Sequence, residues 1–114
     1  MAYLKTFSGS ILLKIEDDRI KEFSGRIKYI IRDNKVTDFS GRIIFTLDGN
    51  YVKDFSGRIL LNITYNQVKD FSGRIIANFD TSYIKDFGGM IQYKLDGFFS
   101  RRELMAVLAV LYAN

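Results

Sequence analysis

Asp54-Phe55-Ser56-Gly57-Arg58-Ile59 recurs letter for letter at Asp38 to Ile43 and at Asp70 to Ile75. Degenerate copies flank these three. Thr6 to Ile11 and Glu22 to Ile27 precede them, and Asp86 to Ile91 follows with Gly88 for Ser and Met90 for Arg. The phenylalanines fall at Phe7, Phe23, Phe39, Phe55, Phe71 and Phe87, a spacing of 16 residues with no insertion or deletion. Self-similarity at a fixed period is the signature of a repeat architecture. It specifies what the chain builds and leaves its chemistry open.

Within one repeat, Arg42 to Gly57, β-branched and aromatic residues dominate, and turn residues sit in two clusters, Asp48-Gly49 and Ser56-Gly57. That reads as strand, turn, strand, turn. Asp-Gly is a strong short-hairpin signal because a tight hairpin turn needs residues that tolerate positive φ. Asp96-Gly97 repeats it, and Glu16-Asp17, Arg32-Asp33, Thr64-Tyr65 and Asp80-Thr81 occupy the same slot. With two-residue turns throughout, the chain becomes an antiparallel meander of about twelve short strands.

Period-two alternation then sorts the side chains. Ile43, Phe45, Leu47 and Val52, with Ile59, Leu61, Ile63 and Val68 one repeat on, form the expected core face. The other face takes the phenylalanines, the arginines Arg26, Arg42, Arg58 and Arg74, and the lysines Lys5, Lys21, Lys53, Lys69 and Lys85. Lys14, Arg19, Lys28, Lys35 and Lys94 join them, and this register leaves that face without acidic residues. Asp18, Glu22, Asp38, Asp54, Asp70 and Asp86 fall on the rim of the core face instead. A rival register uses three-residue loops, Phe55-Ser56-Gly57 and Asp48-Gly49-Asn50, with the last residue left-handed. It sets Asp54 opposite Arg58, an attractive pair, but moves the lysines to the Ile face and Val52 off it. The two-residue register is preferred for its cleaner alternation.

The C-terminal segment breaks the period. Ser100-Arg101-Arg102-Glu103 is a capping box, and Phe99 with Leu104 makes the matching hydrophobic staple. The spacing predicts a helix from about Arg101 to about Ala113. Its body, Leu104 to Ala113, has no polar face, so it belongs inside, with Leu104, Val107, Leu108 and Leu111 as the expected core plug. Such a helix spans about 20 Å, near the length of a six-residue strand. The expected fold is therefore an all-β repeat protein curled into a barrel or open roll around one C-terminal α-helix. Uniform tight turns supply no stagger, so closure requires bulges or a gap. The alternative is a β-solenoid with 16 residues per coil and a helical cap. The whole chain, 1–114, reads as one domain, with six hairpin repeats over 1–97 and the helix over 98–114.

Composition removes several function classes. His and Cys are absent, which excludes imidazole acid–base chemistry, thiol catalysis and zinc sites of the usual kinds. The serines of the Ser-Gly turns have no base to activate them, and the Asp column, on alternate strands about 10 Å apart, does not converge on a metal. No enzyme, cofactor or metal is expected. No apolar run reaches the length of a membrane helix, and Met1 to Lys5 is not followed by a signal-peptide core, which favours the cytoplasm.

Three functions remain. The first is a non-enzymatic structural or protein-interaction protein, with the two edge strands, Tyr3 to Phe7 and Met90 to Leu95, able to close on each other or to pair with another copy. The second is a polyanion-binding module for nucleic acid or acidic polysaccharide, through Arg26, Arg42, Arg58, Arg74, Lys21, Lys53, Lys69 and Lys85. The third is a carrier of a small apolar ligand, if the helix does not fill the roll.

Overall fold

A computed structural model describes residues 2–113. Twelve strands come in chain order: β1 (Ala2–Thr6), β2 (Ile11–Glu16), β3 (Arg19–Glu22), β4 (Ile27–Arg32), β5 (Lys35–Asp38) and β6 (Ile43–Asp48). Then come β7 (Tyr51–Lys53), β8 (Ile59–Ile63), β9 (Gln67–Asp70), β10 (Ile75–Phe79), β11 (Tyr83–Asp86) and β12 (Ile91–Asp96). One helix, α1 (Arg101–Tyr112), ends the chain. Each strand pairs antiparallel with its sequence neighbours, and β1 pairs with β12, so the sheet is a closed barrel. The two edge strands expected from the sequence meet each other.

The seam is not improvised. Asp96 lies opposite Tyr3 and Leu95 opposite Leu4, just as Glu16 lies opposite Arg19 and Ile15 opposite Ile20 within one hairpin. Counted in 16-residue repeats, Asp96 and Tyr3 are the equivalents of Glu16 and Arg19, so the closing pair holds the register of an ordinary hairpin and the sixth repeat completes the circle.

The turns combine both registers considered above. At one rim the loops hold two residues, but one position later than the Asp-Gly reading placed them: Asp48 pairs with Tyr51 around Gly49-Asn50, and Glu16 pairs with Arg19 around Asp17-Asp18. Positive φ falls on Gly49 (60°), Asp33 (54°), Asp17 (51°) and Asp18 (62°). Thr64 is therefore outside the loop, and its amide donates to the Gln67 carbonyl (2.9 Å). At the other rim the loops hold three residues. The Asp54 amide donates to the Arg58 carbonyl (2.9 Å) around Phe55-Ser56-Gly57, with Gly57 at φ 95°.

A β-bulge reconciles these loops with a clean core. Lys53 pairs with Ile59, but Val52 pairs with Leu61, so one extra residue enters the second strand. Such a shift occurs once in every repeat. The bulge returns Val52 and Leu61 to the inside and leaves Lys53 outside. It also corrects the expected core face: Phe45, Leu47, Val52, Leu61, Ile63 and Val68 are buried, whereas Ile43 and Ile59 are 37% and 38% exposed. Six bulges supply the stagger that uniform tight turns lack, which is what lets the barrel close.

The helix runs through the barrel. Ser100 Oγ accepts from the Glu103 amide (3.1 Å), and Glu103 Oε1 accepts from the Ser100 amide (3.0 Å), completing the capping box. Met105 to Ala109 are buried, and Ala106, Val107, Leu108 and Ala109 have no exposed surface. Leu104 and Leu111 are half-buried against the same core. Small alanines let the backbone approach the wall, and the larger Val107 and Leu108 join the same buried cluster as Leu4, Ile15, Ile20 and Ile84. The result is wider than it is tall, 35 × 35 × 19 Å.

Candidate functional site: a crown of hairpin tips

All six three-residue loops lie at one rim, because each is separated from the next by two strands. Every residue of the hexapeptide except one has work inside its own turn. Asp54 Oδ1 accepts from the Ser56 amide (3.0 Å), the Ser56 hydroxyl (2.6 Å) and the Arg58 amide (3.0 Å). Arg58 Nε lies 3.4 Å from Asp54 Oδ2. Gly57 supplies the positive φ that an L side chain resists. The same bonds recur at Asp38 and Asp70 with their own Ser and Arg partners. In the first copy Thr6 replaces Asp, and its Oγ1 still accepts from the Ser10 amide (3.1 Å).

These bonds shift the acids. The Ser40, Ser56 and Ser72 hydroxyls hold Asp38, Asp54 and Asp70 below the usual carboxylate range, helped by the Arg42, Arg58 and Arg74 amides. Desolvation works in the opposite direction and does not outweigh them. The acids thus anchor their own turns.

Phenylalanine is the exception. Phe7, Phe23, Phe39, Phe55, Phe71 and Phe87 are between 66% and 80% exposed. Asp, Ser and Arg each vary among the six copies, but Phe, Gly and Ile never do. Gly has its backbone reason, and Ile sits at the bulge, partly covered. The invariant Phe has no such structural reason. Met90, 69% exposed, joins the same rim. Between two neighbouring tips lies a cleft of about 340 Å³, lined by Arg26, Tyr29, Phe39, Arg42 and Ile44 among others.

The basic face is less basic than the two-residue register implied. Arg42, Arg58 and Arg74 project at these tips with side chains 79% exposed, but each is paired to Asp38, Asp54 or Asp70. Three-residue loops bring those acids onto the outer side, and so correct the expectation of a face free of carboxylates. Lys21 lies 3.2 Å from Glu16 and Lys53 2.8 Å from Asp48. Lys85 stands over the Tyr83 ring at 6.0 Å. Arg26 and Lys69 have no ion pair among the described residues.

The opposite rim carries a device that sequence reading missed. In the sequence Arg101 and Arg102 are only the two residues between the Ser100 and Glu103 of the capping box. Arg101 Nη2 donates to the Ile63 carbonyl (3.0 Å) and to Asn50 Oδ1 (3.3 Å). Arg102 donates to the Asp33 carbonyl (3.1 Å) and pairs with Asp18 Oδ2. The two side chains thus latch the helix to successive hairpins. Their reach spans up to 84 residues of sequence, which no local pattern encodes.

Among the described residues no group of acidic side chains could hold a metal ion, and no helix is long and apolar enough to cross a membrane. Compared with protein-family models, curated proteins and solved structures, the chain matches none. Its class is therefore defined by its own geometry: a closed twelve-stranded antiparallel barrel of six hairpins around a C-terminal helix.

Proposed function

We propose that this is a non-enzymatic interaction protein that works by self-association through the crown. The observation that carries this reading is the ring of six exposed phenylalanines, invariant among the repeats and unused by the turns that present them. Large aromatic side chains gathered at one rim and left in water mark interaction sites, and Phe and Arg are enriched in the cores of interfaces. Adjacent tips are two strands apart, about 10 Å. Six knobs alternating with six gaps of equal pitch make the rim complementary to itself. A second copy, turned face to face and rotated by half a pitch, seats its rings in the clefts and sets Asp–Arg pairs against Asp–Arg pairs. Such a contact is isologous and closed.

Sedimentation velocity over a range of protein concentrations tests this. Wild-type protein should form a dimer, and the triple variant Phe39→Ser, Phe55→Ser, Phe71→Ser should sediment as a folded monomer. A wild-type monomer at every concentration sinks the reading.

Polyanion binding is the weaker reading, supported by the exposed guanidinium groups of Arg42, Arg58 and Arg74 and weakened by the carboxylate beside each. Adding single-stranded DNA at two salt concentrations separates the two. A complex that weakens steeply with salt favours the polyanion, whereas a salt-insensitive dimer that ignores the DNA favours self-association.

A further inference from the structure

The helix does not sit centrally. It packs mainly against β4, β6 and β8, and the Arg101 and Arg102 latches reach the loops at Asp18, Asp33 and Asn50, all on that side. The far side, toward β10 and β12, is left under-filled at the rim opposite the crown. A cavity of about 470 Å³ opens there, between the last hairpins, the linker into the helix and its first turn. That volume lies within the range of small-molecule sites, about 300–1,000 Å³.

Its chemistry is uneven. The walls are apolar, with Phe79, Leu95, Phe99 and Leu104 contributing. Tyr65 and Phe98, 93% and 83% exposed, stand at the mouth, where they leave aromatic surface in water. Arg101 supplies the cation. Only its Nη2 is engaged by Ile63 and Asn50, and a guanidinium has five N–H donors, so its other nitrogens keep donors for a ligand. The bonds that Nη2 makes hold the group in place before anything binds. Asp80 also lies at the mouth. Its Oδ1 accepts from the Ser82 and Tyr83 amides (both 2.8 Å), which hold the acid below its usual range and tie it to its own loop.

The geometry points to a binding site for a small amphiphile with an apolar body and one acidic group, seated between β10, β12 and α1 with its acid on the Arg101 guanidinium. The body replaces water against Phe79, Leu95 and Leu104, and Tyr65 and Phe98 cover its outer side. Asp80, fixed and ionised at the same mouth, opposes the acid and keeps the affinity moderate. This site is at the other end of the barrel from the crown and does not depend on it.

Calorimetric titration with decanoate, and with decanol as the uncharged counterpart, tests the assignment. Wild-type protein should bind one decanoate. Arg101→Gln should weaken decanoate about tenfold, the worth of one charge-assisted bond, and change decanol less than about twofold. Asp80→Asn keeps the acceptor for the loop amides and should tighten decanoate. Leu104→Trp fills the cavity and should abolish binding of both. Because that variant disturbs the helix, amide and methyl shifts of the wild-type protein provide a second readout, with changes expected at Phe79, Leu95 and Leu104. The proposal is overturned if decanoate shows no saturable binding, if Arg101→Gln weakens both ligands alike, or if the shifts fall at Phe39 and Phe55. The triple crown variant should bind decanoate like wild type, so failure here and failure of self-association are read separately.

Discussion

Lys5 Nζ lies 2.7 Å from Asp96 Oδ2, across the seam between the first and last strands. Lys21 makes the same contact with Glu16, and Lys53 with Asp48, each inside a single hairpin. The barrel therefore closes by treating its two chain ends as one more hairpin. The ion pair itself is partly solvated, with side-chain exposures of 26% and 57%, so its contribution is small. Lys5→Met should cost less than about 1 kcal/mol in chemical denaturation. Leu4→Ala should cost about 2–5 kcal/mol, because Leu4 is fully buried opposite Leu95. Equal costs for the two variants would mean that charge, not packing, holds the seam.

The helix is the second half of the core. Leu108 has no exposed surface, and Asp at that position would bury a carboxylate among aliphatic side chains. Leu108→Asp should abolish cooperative folding, and Leu108→Ala should lower stability by about 2–5 kcal/mol. Unchanged melting of the Asp variant, followed by circular dichroism, would show that the barrel stands without its plug.

Gly57 sits at φ 95° with open space where a side chain would go. Gly57→Ala therefore meets no clash, only backbone strain, and should cost about 1 kcal/mol or more. Phe55→Ser, two residues away, should change monomer stability by less than about 0.5 kcal/mol, since Phe55 is 80% exposed. The contrast within one loop, measured by denaturant titration under monomeric conditions, separates the residues that build the tip from the residue that the tip presents.

Acid should loosen the tips. Asp38, Asp54 and Asp70 titrate below their ordinary value of 3.8 in the folded protein. A depressed folded pKa gives stability that is present above the ordinary value and lost as pH falls through the folded one. Stability should hold from neutrality down to about pH 5 and fall below about pH 4. The triple variant Asp38→Asn, Asp54→Asn, Asp70→Asn should be less stable at neutral pH and show a flatter acid limb. A limb as steep as wild type would assign the acid response to other carboxylates.

Alkali should act at the helix C-terminus. Burial pushes Tyr112 up to about 12, with Tyr93 and Asp86 adding to the shift. A raised folded pKa gives stability that is complete below the ordinary tyrosine value, 10.0, and lost as pH rises toward 12. Ultraviolet titration should show a late tyrosine transition near pH 12 that is lost in Tyr112→Phe.

The 16-residue period, the alternation of strand and turn, the capping box at Ser100 and the all-apolar helix body are local facts, and local chemistry dictates them. They sufficed for six hairpins and a buried C-terminal helix, because turn residues and capping residues act within a few positions of themselves. What the tertiary structure decided is the join between those pieces. Period-two reasoning carried across a turn assumes that no residue is inserted, and the bulge inserts one per repeat. The bulge moves Ile43 and Ile59 outward, while the three-residue loop brings Asp54 beside Arg58 and sets the phenylalanines at the rim. Closure depends on the sum of six such small staggers. The Arg101 and Arg102 latches depend on which loops the helix start meets once the barrel has closed. Neither can be read from any one repeat, because both are properties of the whole circle.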